Sequence, residues 1–363
     1  MNKVVISGYY GFNNMGDESI LTALITDLRN NIPDIDITVL SENPEITMKN
    51  HKVKAVHRKN PISIIKAIKN SDLLISGGGS LLQDVTSKRN VLYYLFIMYL
   101  GILMNKKVMI YSQGMGPIRS RFNRRLTKRV LEKIDVITLR DSRSERFLKE
   151  INLRNPNVIV TADPVIALVQ DDLETGKNIL IEEGVEFGER KTVGFVIRGQ
   201  AKNGKFIMNL CKLADRLIEE DDLNVVFIPF HHGQDLNILK TIEEVADERV
   251  ICLHDEYTIK ELLSIIGNMD LVVGERLHSL IFASVMKVPI IALSYDPKIN
   301  NYMGYLSEKV FSDIDEIDFE KLHREILMKL EKEEKGEDEL AERIDFLKEK
   351  LSRNTDEIKK LLE

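Results

Sequence analysis

A chain of 363 residues, 44% of them apolar, can bury two cores, which excludes a disordered, fibrous or disulfide-stapled protein. Lys+Arg 51 against Asp+Glu 57 gives a net charge of -6, which speaks against nucleic acid as a partner. Residues 331–363 alone hold twelve acidic and eight basic residues, so the rest of the chain is nearly balanced. The two cysteines, Cys211 and Cys252, lack CxxC spacing, so they fit a reducing compartment and predict no structural zinc site.

The amino terminus carries one lysine and then a short apolar strand running into glycines, not a signal core, so the expected location is cytoplasmic. Short β-branched runs then alternate with helix-period segments: Val4–Ser7, Ile37–Leu40, Leu73–Ser76, Val108–Tyr111, Val136–Leu139 and Val158–Thr161. After a polar stretch around Asp171–Lys191 come Val193–Ile197, Val225–Pro229, Val250–Leu253, Leu271–Val273 and Ile290–Leu293. The pattern predicts an α/β fold of two doubly wound, Rossmann-like parallel domains, at 1–170 and 171–315, facing a cleft. A third segment, 316–363, ends in an amphipathic helix with Leu340, Ile344, Leu347, Leu351, Ile358 and Leu361 on one seam and Asn354 interrupting it. That helix either packs back on the body or pairs subunits in a homo-oligomer.

In open parallel sheets ligands sit beyond the carboxyl ends of the strands, so the loops there are the candidate sites. The loop SGYYGFNNMGDES at 7–19 offers Gly11, Asn14 and Gly16 for close backbone approach to a ligand, with Asp17 as helix cap or as acceptor-activating base. Its spacing is not the dinucleotide fingerprint. Gly77, Gly78 and Gly79 predict a tight strand-to-helix turn, and Gln113 opens a second glycine-rich lip, QGMGP. Tyr9, Tyr10 and Phe12 are candidate sugar-stacking residues by loop position. Two further stretches stand apart: the apolar run Val91–Met104, too short to span a bilayer, and the basic run Arg119–Lys133. Together they suggest peripheral contact with the inner face of the cell membrane.

In the second domain Arg198 sits where its strand ends, projecting a guanidinium fork, and His231 and His232 follow another strand. The segment GERLHS at 274–279 places Arg276 at a helix entrance, against the macrodipole, with His278 and Ser279 beside it. Such an arrangement calls for an anion. A noncatalytic sensing protein remains a reading of these residues, as does a sugar-nucleotide glycosyltransferase.

GYYGFNNMGDESIL at 8–21, LLISGGGSLLQD at 73–84, YSQGMGPI at 111–118 and GERLHSLIFA at 274–283 together resemble the polysaccharide pyruvyltransferase family, most closely its CsaB-type cell-wall members. The resemblance implies a GT-B-like architecture, phosphoenolpyruvate as donor, no cofactor, and a pyruvate ketal on an N-acetylmannosamine of a lipid-linked saccharide precursor, of the kind used for S-layer anchoring. It further implies that Arg276, His278 and Arg198 lie at the donor site; the residues themselves then suggest His278 as general acid, with Ser279, His231 and His232 on the same donor side. Gly11, Asn14, Gly16, Gly77–Gly79 and Gln113 then fall on the acceptor side with Asp17. Phosphoenolpyruvate carries roughly -2.5 to -3 charges in total, for which two guanidinium forks and a helix N-terminus are the chemical complement.

Overall fold

The computed structural model describes residues 1–85, 88–199, 204–331 and 337–363. The chain divides into two compact units, Met1–Ala167 with Phe346–Glu363, and Leu168–Asp345. In order, the elements of the first stretch are β1 (Lys3–Ser7), α1 (Met15–Asn31), β2 (Asp36–Ser41), α2 (Pro44–His51), β3 (Lys54–His57), α3 (Pro61–Lys69), β4 (Leu73–Ser76), β5 (Gly79–Leu82), α4 (Lys88–Leu103), β6 (Lys107–Met115), α5 (Arg121–Leu131), β7 (Val136–Leu139), α6 (Ser142–Glu150) and β8 (Val158–Val160). The second stretch contains α7 (Glu174–Glu182), β9 (Thr192–Val196), α8 (Gly204–Glu219), β10 (Asn224–Phe227), α9 (His232–Val245), β11 (Ile251–Cys252), α10 (Ile259–Gly267), β12 (Leu271–Gly274), α11 (Leu277–Val285), β13 (Ile290–Ser294), α12 (Pro297–Tyr305), β14 (Val310–Asp313) and α13 (Phe319–Glu331). Last comes α14 (Glu337–Leu362).

Both sheets are parallel. The first runs β3-β2-β1-β4-β6-β7-β8 with β5 alongside β6; the second runs β11-β10-β9-β12-β13-β14. Each reverses direction once, between β1 and β4 and between β9 and β12, and those switch points are where a parallel sheet opens a crevice beyond its strands. Crossovers are right-handed, so helices leading outward from the switch in one direction share a face. In the first unit α3, α4, α5 and α6 bury Ile64, Ile68, Val91, Leu95, Met98, Val130 and Phe147 against Leu74, Val108 and Ile110. The opposite face carries Leu21, Leu24 and Leu28 of α1 and Ile358 of α14 against Ile6, Ile75 and Met109.

The sequence reading differs from this structure in three places. The glycine run does not turn into a helix: Gly79 has φ +87 and starts β5, which pairs with Gln113 and Met115 of β6. The strands β3 and β14 escape the apolar pattern because each lies at a sheet edge and is partly exposed, unlike the buried central runs. The segment 316–363 is divided between the two units. The α13 residues Leu322, Ile326 and Leu330 close the second unit's core, whereas α14 from Phe346 onward belongs to the first.

Within the first unit Asn354 is fully buried, and its amide donates to Ser112 Oγ at 2.8 Å, so the residue that interrupts the apolar seam sets the register of the helix on the sheet. Thr355 Oγ1 donates to Asp27 at 2.7 Å one residue later. Ile358 fills the core beside them. Ile358→Ala should therefore cost the first unit about 2–5 kcal/mol, the usual range for truncating a buried isoleucine, measured as a shift of the urea midpoint.

Candidate active site

In the second unit the strands β10, β9 and β12 lie side by side, and the segments following them meet at one carboxylate. Asp235, in the first turn of α9, is wholly buried. It accepts the Gly199 N–H after β9 at 3.0 Å, the Phe230 and His231 N–H groups after β10 at 3.1 and 2.8 Å, and the Arg276 guanidinium after β12. A Cβ on Gly199 would fall 1.8 Å from the Gln234 carbonyl oxygen, so glycine is needed for that amide to reach the carboxylate.

This arrangement corrects the expectation for Arg276. The helix α11 begins at Leu277, Arg276 is its extended N-cap residue, and the anion that balances its charge is Asp235 of the same chain. The Arg276 Nε–H is nevertheless buried without a hydrogen-bond partner, and so is Nδ1 of His231. Buried polar atoms in that condition are uncommon and mark places where a ligand can complete the bonding. Burial, and then the nearby Arg276 charge, hold the His231 pKa below the ordinary imidazole value, which favours the neutral ring at neutral pH.

Arg198 follows β9, one residue before Gly199. Its N–H donates to the buried Glu275 carboxylate at 3.0 Å and its guanidinium packs flat on Tyr295, 3.8 Å from the ring centre. Stacking on the ring fixes the plane of the fork. His278 is partly buried in the first turn of α11. Two other candidates are occupied elsewhere. The Ser279 hydroxyl is buried and donates to the Arg276 carbonyl at 2.7 Å. The His232 ring is 2.7 Å from the His254 carbonyl and 3.5 Å from Glu256, so of the two adjacent histidines only His231 joins the Asp235 cluster.

In the first unit the corresponding strands are β1, β4 and β6. The cap of α1 is Asn14, whose Oδ1 accepts the Gly16 N–H at 3.2 Å and whose Nδ2 donates to Asp17 at 2.7 Å. Asp17 is thus not the cap; its carboxylate lies beside Gly79, where a Cβ would stand 2.8 Å from Oδ1. The Gly11 N–H donates to Glu18 at 2.8 Å and the Gly77 N–H to Ser7 O at 2.8 Å, so these amides, like that of Gly16, bond within the chain. Gly77 and Gly78 are small because Tyr10 OH and the Ile20 side chain occupy the adjoining space. The close approach that the glycine run announced is made by the protein itself.

Gln113, also fully buried, donates from Nε2 to Gly77 O at 2.9 Å and Ser76 Oγ at 3.3 Å. Its Oε1, the Tyr10 hydroxyl and Ser7 Oγ are buried without partners around the same switch point. Tyr10 is fully enclosed and cannot stack on a sugar; Tyr9 and Phe12 stack on each other at 4.0 Å. Beneath them Arg58 packs 4.3 Å from the Tyr93 ring centre and 5.2 Å from Phe12. Asp235, Glu275, Tyr295 and Arg58 were not singled out from sequence. Asp235 reads there only as one more acid in a first helical turn, the commonest place for one. Among the described residues no three His, Cys, Asp or Glu side chains group to hold a metal ion.

Two parallel doubly wound units with polar clusters at their switch points define the GT-B-like class. The fold matches a glycosyltransferase from Rickettsia africae (TM-score 0.67, 13% identity, 100% and 99% of the two chains) and Anabaena Alr3699/HepE in complex with UDP and glucose (0.67, 10%, 100% and 99%). It also matches the UDP-GlcNAc 2-epimerase of Neisseria meningitidis (0.64, 13%, 100% and 99%). At those identities the likeness is one of fold. The polysaccharide pyruvyl transferase family matches residues 14–297, and the chain belongs to that family of transferases. The amylovoran biosynthesis protein AmsJ of Erwinia amylovora is 23% identical over 84% of this chain and 86% of that protein.

Asp235→Ala would leave a buried guanidinium and three buried amides unanswered, and should destabilise the second unit by about 3–5 kcal/mol. Arg276→Ala should cost less, since the carboxylate keeps its three N–H donors. In the double variant the losses should fall short of their sum, as a double-mutant cycle of urea unfolding would show; strict additivity would deny the pairing.

Proposed function

We propose that this transferase uses phosphoenolpyruvate to place a pyruvate ketal on a sugar of a polysaccharide precursor, with release of phosphate. The observation that carries the donor assignment is the Arg276 guanidinium, held in one orientation by Asp235 with its buried Nε–H still unbonded, in the strand-end loops of the sheet whose adjacent strand β9 leads into Arg198, stacked on Tyr295. Two oriented forks and the N-terminus of α11 suit a small ligand with a carboxylate at one end and a phosphate at the other. At Arg276 the donor is gripped by directed N–H groups, since Asp235 offsets the guanidinium charge.

The reaction balances as follows. Protonation of carbon 3 makes the methyl group and leaves cationic character on carbon 2; one sugar hydroxyl bonds to carbon 2 and gives up its proton. The carbon 2–oxygen bond to phosphate then breaks, and a second hydroxyl of the same sugar closes the ketal, its proton leaving with phosphate. In this reading His278 supplies the proton to carbon 3 as general acid. Asp17 and Gln113 face the acceptor, and Asp17 receives the hydroxyl proton. The acceptor to be tested first is a lipid-linked N-acetylmannosamine saccharide of the CsaB type; AmsJ, by its name, serves the biosynthesis of another polysaccharide.

His278→Ala should lower turnover by about a hundredfold or more, the range for a lost general acid, while phosphoenolpyruvate affinity is largely kept; mass spectrometry of acceptor gaining one pyruvate less one water provides the assay. Near-normal turnover would remove His278 from the role. Calorimetry should show phosphoenolpyruvate binding that weakens in Arg276→Lys, because a point charge replaces the oriented fork. Binding of a UDP-sugar in place of phosphoenolpyruvate would overturn the donor assignment.

A further inference from the structure

The helices α3, α4 and α5 lie next to one another on one face of the first unit's sheet. On α4 the outward stripe Leu92, Phe96, Tyr99 and Leu103 follows alternating steps of four, three and four residues, and every member is apolar. Phe96 is 59% exposed and Leu103 62%. The flanking helices continue the surface: Ile62 and Ile65 on α3, and Phe122 on α5, are exposed as well. A row of large apolar side chains facing water across three neighbouring helices is not an ordinary surface and marks a contact.

The charge around that row indicates with what. Residues 61–69, 89–107 and 119–133 hold twelve basic residues and one acidic residue, Glu132, in a chain whose net charge is -6. Arg121, Arg125 and Arg129 on α5, Lys133 just after it, and Lys66 and Lys69 on α3 are exposed. Lys133 Nζ stands 5.7 Å from the centre of the Tyr99 ring, so the basic and apolar groups share one patch. Among the described residues no helix is long and apolar enough to cross a membrane, and α4 has only 16 residues.

We propose that the outer face of α3, α4 and α5 docks on an anionic phospholipid bilayer, with Ile62, Phe96, Leu103 and Phe122 entering the interface and the surrounding lysines and arginines meeting the headgroups. Apolar anchors within a basic field are the combination that holds a protein flat on such a surface. Each of these helices follows a strand of a parallel sheet and so begins at the strands' carboxyl edge. Tyr93 of α4 donates to the Arg58 carbonyl at 3.0 Å, and Arg58 in turn underlies Phe12 of the β1–α1 loop. The docking face therefore adjoins the loop assigned to the acceptor, and a lipid-borne sugar reaches that loop without leaving the headgroup layer.

The test is co-sedimentation of the full chain with vesicles of phosphatidylcholine alone and of phosphatidylcholine with phosphatidylglycerol, with neither donor nor acceptor present, so that its outcome is separate from that of pyruvyl transfer. The chain should sediment with the anionic vesicles and be released as salt is raised. Phe96→Ser/Leu103→Ser and, independently, Arg125→Glu/Arg129→Glu should each weaken the partition by about tenfold or more. All four side chains are exposed, so an unchanged melting temperature confirms folding, and Ile62→Ser serves as a separate probe on another helix. Equal sedimentation with both vesicle types, or no response to either double variant, would overturn the proposal. So would a dimer in sedimentation velocity that disappears in Phe96→Ser/Leu103→Ser, which would give the face to a second copy of the chain.

Discussion

The second unit's candidate site depends on one buried carboxylate. Asp235 joins the segments that follow three adjacent strands, taking an amide after β9, two amides after β10 and a guanidinium after β12. Each loop alone has many conformations; bonded to a single pair of oxygens they have few. Burial makes the bonds strong and their loss expensive, since no water can replace them. The position of His231 and the direction of the Arg276 fork follow from that one residue.

The first unit reaches the same end with a neutral group. Gln113 on β6 bonds to Ser76 and Gly77 at the end of β4, Gly77 bonds to Ser7 at the end of β1, and the Tyr10 ring closes over Gly8 and Gly77. An amide and a tyrosine ring hold three strand ends where the second unit uses a carboxylate. With the donor on the second unit and the acceptor on the first, as proposed, the difference has a chemical sense. An anionic ligand needs fixed cations, and a buried cation needs a buried partner to keep it in place; hydroxyl groups of a sugar need only donors and acceptors.

Parallel sheets with both faces covered write their strands as continuous β-branched runs, and for this reason most central strands could be read directly from the sequence. The edge strands β3 and β14 could not, because partial exposure dilutes the same pattern. The glycine-rich loops pointed correctly to tightly packed backbone, but sequence cannot say whether the neighbour is a ligand or, as with Tyr10 and Ile20, the chain itself. Arg276 was visible as an electrostatic anomaly at a helix start. Its resolution was not, since Asp235 lies 41 residues away and becomes a neighbour only when β9 brings β10 and β12 to either side of itself.

If Arg276 binds the donor as proposed, its pairing with Asp235 also changes how donor selectivity has to arise. A bare guanidinium attracts any anion, and at an effective dielectric of about 20 two unit charges 4 Å apart interact by about 4 kcal/mol whatever their chemistry. With Asp235 in contact, most of that attraction is already spent inside the protein, and an approaching anion gains chiefly from the N–H groups left to bond. Those have direction, and they reward a ligand whose oxygens fall in their line and plane. On the proposed donor assignment, a site built in this way gives up some affinity for anions in general and gains discrimination between a compact carboxylate–phosphate and the many other phosphates that share its charge.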